Sequence, residues 1–137
     1  MLARPAASRG PRSRPARSGS GPSNRRGRAL RIEFLYWEEC PSHDEALRRL
    51  REVLAEEDVR DPVEIIRVDT DEQAEALRFP GSPTIRFDGV DIQPEGAERA
   101  GSALTCRAYR VDGRISPLPT KGMIREALRR ARQERRA

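Results

Sequence analysis

Arg31-Ile32-Glu33-Phe34-Leu35-Tyr36-Trp37-Glu38-Glu39-Cys40-Pro41-Ser42-His43 is the stretch on which the architecture of this chain turns. Its first seven residues are rich in aromatic and branched apolar side chains and are bounded by polar segments, the pattern of a largely buried strand. Glu38, Glu39 and Cys40 then make a short loop. Pro41 suits the first position of a helix, where its missing N–H is not needed. Beyond it Ala46, Leu47, Leu50, Val53 and Leu54 recur at helical spacing, while Arg48, Arg49, Arg51, Glu52, Glu56 and Glu57 fill the opposite side. The periodicity predicts an amphipathic helix from Pro41 to Glu57.

Working outward, Val63-Glu64-Ile65-Ile66-Arg67-Val68 reads as a second strand. It is reached through a helix and is therefore expected to run parallel to the first. Asp69 and Thr70 offer an N-cap to a short helix over Asp71 to Arg78. Phe79-Pro80-Gly81-Ser82-Pro83 ends that helix. Thr84-Ile85-Arg86-Phe87, the turn Asp88-Gly89 and Val90-Asp91-Ile92 form a hairpin. Residues 93–119 are punctuated by prolines and glycines; Leu104 to Val111 reads as extended and Asp112-Gly113 as a turn. Met123, Ile124, Ala127, Leu128 and Ala131 define a last helix with an Arg-rich, fraying end. The order βαβαββα predicts an α/β sandwich with a four-stranded mixed sheet.

The 137 residues include 27 Lys plus Arg against 22 Asp plus Glu, a formal charge of +5. Eight arginines and no acid fall within residues 1–28, so the remainder, with 19 basic and 22 acidic groups, is formally −3. Residues 1–28 are otherwise mostly Ser, Pro, Gly and Ala, with too little apolar surface to offset the entropy of ordering. They read as a disordered leader ahead of one domain over residues 29–137. The leader lacks the apolar segment of a secretory signal and the amphipathic helix of a transit peptide. No stretch approaches the roughly 20 apolar residues of a membrane span. A cytoplasmic location is expected, with no membrane partner and no nucleic-acid binding beyond non-specific contact by the leader.

Two cysteines and one histidine are the whole stock of soft or neutral-pH-titrating side chains. Cys40 falls where a strand end meets a helix start, a place that favours thiolate and so a nucleophile. His43, three residues on, either assists that thiolate as a cation and proton shuttle or is a surface histidine. Glu38, Glu39 and Asp44 stand nearby and oppose thiolate formation where they face the sulfur. Cys106, in Leu104-Thr105-Cys106-Arg107, reads as a second functional thiol or as an ordinary buried cysteine. So few ligands cannot build a structural zinc site, and no cofactor is expected.

The run Phe34 to His43 resembles the active-site strand, loop and helix start of the thioredoxin-like superfamily, and Gly81-Ser82-Pro83-Thr84 resembles its cis-proline loop. The resemblance implies a thioredoxin-like fold, with Cys40 as nucleophile and Pro83 as the cis-proline beside it. It also implies that Ser82, Pro83 and Thr84 shape the substrate groove, Ser82 offering backbone groups to an extended thiol substrate. In a dithiol member a second cysteine stands where this chain has His43, so Cys40-Pro41-Ser42-His43 cannot close a local disulfide. Two routes stay open: a monothiol mechanism, or resolution by the distant Cys106. The expected activity is thiol–disulfide exchange or a redox-adaptor role, with a thiol or disulfide as substrate. The core of alkylmercury lyases is similar as well. On that likeness Cys40 and Cys106 bind a thiophilic metal such as mercury, with Asp44 as proton donor.

Overall fold

The computed structural model describes residues 29–136; the expected leader lies outside the described residues. Strand β1 (Ile32–Tyr36) leads through a loop to helix α1 (His43–Glu56), then to β2 (Val63–Arg67), α2 (Asp71–Ala76), β3 (Thr84–Phe87) and β4 (Val90–Asp91). Helix α3 (Pro94–Ala100), strands β5 (Tyr109–Val111) and β6 (Arg114–Ser116), and helix α4 (Lys121–Arg136) complete the chain. The sheet order is β2-β1-β3-β4. β1 pairs parallel with β2 and antiparallel with β3, which pairs antiparallel with β4. The expected four-stranded mixed sheet is therefore present.

The central strand explains the layering. Ile32 and Phe34 point to one face, where they join Leu50, Val53 and Leu54 of α1, Ile85 and Phe87 of β3, and Ile124 and Leu128 of α4. Leu35 points to the other, with Val68, Ala74 of α2 and Phe79. The period-two alternation of a strand thus supplies two cores. Fully burying a side chain such as Phe34 or Leu35 stabilises by about 1.5–3 kcal/mol. Thr70 caps α2 through a capping box with Gln73, whose backbone N–H donates to the Thr70 hydroxyl at 3.1 Å.

Three expectations need correcting. Helix α1 starts at His43 rather than Pro41, because the Cys40 N–H turns back to donate to the Trp37 carbonyl at 3.0 Å. The element order is βαβαββαββα: α3 and the β5–β6 hairpin lie within residues 93–119. Helix α3 has no buried residue and hence no apolar period to read, although Pro94 at its start is a helix-initiating signal. The end of α4 does not fray before Arg136. Arg129 pairs with the Glu57 carboxylate at 3.0 Å, Arg132 donates to the Glu57 carbonyl at 3.4 Å, and Arg135 pairs with Asp88 at 3.2 Å. Each exposed pair adds little, but together they tie successive turns to the domain.

Candidate functional site

The site lies beyond the end of β1. Cys40 is fully buried, and its thiol donates to the Ser82 carbonyl at 3.3 Å. Ser42, not Cys40, is the N-cap of α1, and its side chain caps nothing. Cys40 therefore sits two residues ahead of the cap, where the helix dipole acts more weakly than the expected start at Pro41 implies. The His43 ring packs on Tyr36, with centroids 4.7 Å apart, and its Nδ1 lies 3.3 Å from the Asp44 carboxylate. Among the described residues no hydrogen bond joins His43 to either thiol. Asp44 is 93% exposed and turned toward His43.

Ser82 organises the opposite wall. The Ser82–Pro83 peptide bond is cis. The Ser82 hydroxyl accepts from the Trp37 N–H at 2.9 Å, tying this loop to the end of β1. Its backbone N–H donates to the Thr105 carbonyl at 2.8 Å, and its carbonyl accepts from the Arg107 N–H at 2.8 Å. Ser82 and Cys106 thus form an isolated parallel bridge. The backbone groups expected to hold an extended substrate are filled by residues 105–107 of the chain itself. The same bridge brings Cys106 to Cys40. Interaction with the Cys40 thiol, more than partial burial, pushes the Cys106 thiol up from its ordinary range. Both cysteines are free; Cys40 is buried and Cys106 exposed.

A buried polar cluster clamps the Cys106 segment from behind. Arg107 makes a two-pronged ion pair with Asp91, at 2.8 and 3.0 Å, with side chains only 1% and 7% exposed. The Arg107 guanidinium also donates to the Thr84 and Tyr109 hydroxyl oxygens, at 3.2 Å each, and lies 4.3 Å from the Tyr109 ring centroid. Burial pushes the Tyr109 phenol far above its ordinary range, so it stays protonated and donates to the Pro83 carbonyl at 2.7 Å. Thr84 donates in turn to the Gly81 carbonyl at 2.6 Å. Ser82, Pro83 and Thr84 are thereby each engaged by the segment from Thr105 to Tyr109. Gly81 has φ +130°, and a Cβ there would stand 2.9 Å from the Arg107 Cα.

Comparison with known protein families, with characterised proteins and with solved structures finds no match to this chain. The site is therefore read from its own geometry. Cys40 and Cys106 are both brought to Ser82, the first through its thiol and the second through its backbone, while Pro83 and Thr84 are held by Tyr109 and Arg107. His43 and Asp44 pair with each other at the helix start instead. Arg107, Asp91 and Tyr109 are additions that sequence reasoning did not single out, since no local spacing links them. Among the described residues no group of three or more His, Cys, Asp or Glu side chains is arranged to hold a metal ion. Nor is any described helix long and apolar enough to cross a membrane.

Proposed function

We propose that this chain is a thioredoxin-like thiol–disulfide exchange domain whose working pair is Cys40 and Cys106, cycling between dithiol and disulfide. The observation that carries the reading is that two free thiols, one buried and one exposed, converge on Ser82 of the cis-proline loop: the Cys40 thiol donates to the Ser82 carbonyl at 3.3 Å, and Cys106 is bridged to the Ser82 backbone. It supplies the second thiol that the His43 position lacks. Sulfur chemistry of this kind needs an attacking thiol, a second thiol held within reach and rigid support for both; the ion pair of Arg107 and Asp91 and the bridge at Ser82 provide the support. In the reducing cytoplasm, where we place the protein, the resting form is the dithiol.

A thiophilic-metal reading uses the same sulfurs, since two thiolates suit a soft ion. Carbon–mercury cleavage needs a proton donor as well, and Asp44 contacts His43 and solvent rather than the thiols. That favours exchange. The test is oxidation of the full chain with a small disulfide, followed by peptide mapping and a coupled assay of disulfide reduction with dithiothreitol. The expected result is an intramolecular Cys40–Cys106 bond and turnover above the uncatalysed rate, lost in Cys40→Ser and in Cys106→Ser. Two thiols that stay free, or bonds formed only between molecules, overturn it.

A further inference from the structure

The order in which the two sulfurs act can be read from their surroundings. An attacking thiolate must approach a disulfide along the axis of the bond that breaks, so it must be open to the substrate. Cys40 has none of its surface exposed, and its thiol is engaged with the Ser82 carbonyl at 3.3 Å. The same Ser82 is flanked by the segment Thr105–Arg107, hydrogen-bonded to its N–H and to its carbonyl at 2.8 Å each. This segment is not a loose flap. Gly81 meets the Arg107 backbone too closely to admit even a methyl group, and Arg107 is held from within by Asp91. Cys106, on the same segment, is exposed.

We propose that Cys106, not Cys40, is the sulfur that attacks the substrate, and that Cys40 resolves the mixed disulfide from beneath. The inference rests on the exchange activity proposed above and reverses the roles the sequence resemblance implies. The Cys106 thiolate attacks a substrate disulfide, a bond forms between Cys106 Sγ and one substrate sulfur, and the other leaves as a thiolate. Cys40, held at the carbonyl of Ser82 to which Cys106 is bridged, then attacks Cys106 Sγ and expels the second substrate thiolate. The substrate takes up two electrons, the pair gives up two as its disulfide, and the two thiol protons end on the released thiolates. An added dithiol restores the starting state.

Dithiobis(nitrobenzoate), with its coloured leaving group, is the probe, used on the native full chain. Wild type is expected to release two equivalents of nitrothiobenzoate and keep no adduct. Cys40→Ser is expected to release one and keep a stable adduct on Cys106. In Cys106→Ser the buried Cys40 is expected to react about tenfold or more slowly, and urea is expected to abolish the difference. A Cys106→Ser variant that reacts as fast as Cys40→Ser overturns the order. A measurement free of variants is acid quenching of wild type with limiting probe: the first adduct maps to Cys106, and an adduct found first on Cys40 overturns the order equally. Wild type that keeps two stable adducts and forms no bond between its cysteines removes the exchange reading itself, an outcome distinct from the other two.

Discussion

The backbones of Ser82 and Cys106 lie side by side as a single parallel bridge, outside both sheets of the protein. This contact fastens the cis-proline loop to the segment that bears the exposed thiol. Any change that loosens one therefore reaches the other, and substitutions in the groups that hold the bridge should be felt at the sulfurs.

The ion pair of Arg107 and Asp91 is the strongest of these supports. Removing one partner of so buried a pair leaves an uncompensated charge, whereas removing both leaves none. Asp91→Ala is expected to cost about 3–5 kcal/mol in urea unfolding. The double variant Asp91→Leu/Arg107→Met should cost clearly less. Equal losses would mean that the charge is not what the site must satisfy.

Gly81→Ala is expected to destabilise by about 1–3 kcal/mol, because the left-handed backbone and the close Arg107 Cα both oppose a side chain. Thermal melts should register the loss, and Cys106 should become easier to alkylate as the bridge loosens. Gly89→Ala makes the control. It also has positive φ, but its Cβ would meet nothing within 4 Å, so the thiols should be unaffected. A thiol response of the same size in both variants would sever the link between Gly81 and the site.

Titration of Cys106 should track its contact with Cys40. The thiol is pushed up chiefly by the Cys40 thiol and then by burial, so its alkylation should rise only above the ordinary thiol range. Because the folded protein holds this proton more tightly than the unfolded chain, the contribution to stability is complete below the unfolded thiol range. It is lost as pH rises through the folded one. In Cys40→Ala the alkylation profile should move back toward lower pH. A profile unmoved by that substitution would mean that Cys40 is not the cause.

On the surface of α1, Glu45 is bonded to Arg48 and Arg49, and the two guanidinium groups bring its carboxyl down to about 2. Its folded value lies below the unfolded one, so the contribution is present above the ordinary glutamate range and disappears as pH falls through about 2. Carboxyl chemical shifts measured across an acid titration should locate it there. With Arg48→Ala and Arg49→Ala combined, the midpoint should return toward ordinary glutamate.

Much of the scaffold is legible in the sequence because its signals are local. The apolar run of β1, the helical spacing of Leu50, Val53 and Leu54, and the Asp88-Gly89 turn each report on residues that are neighbours in the chain. Helix α3 escapes such a reading because it buries nothing, and α1 begins two residues later than Pro41 suggests because that proline also suits a turn. Cys40, Ser82 and Pro83 stand out from their setting between elements. The closeness of Cys106 does not, since it depends on one bridge and on an ion pair between Asp91 and Arg107, partners far apart in the chain. Nor does the filling of the Ser82 backbone groups by the chain itself, because hydrogen bonds between irregular segments leave no periodic trace.

The cysteines stand 66 residues apart in the sequence, so only the finished fold brings both to Ser82. In a pair separated by two residues the sulfurs remain within reach when the chain unfolds, and such a cross-link says little about the rest of the molecule. Closing the long loop here by the proposed bond would remove far more freedom from the unfolded chain, a stabilisation of roughly 4 kcal/mol. Thermodynamic reciprocity returns the same quantity to the sulfurs: folding would lower the reduction potential of that proposed bond by on the order of 90 mV relative to the unfolded chain. In the proposed exchange, oxidation would thereby latch the tertiary structure, and the readiness of the pair to give up electrons would measure how completely the domain is folded.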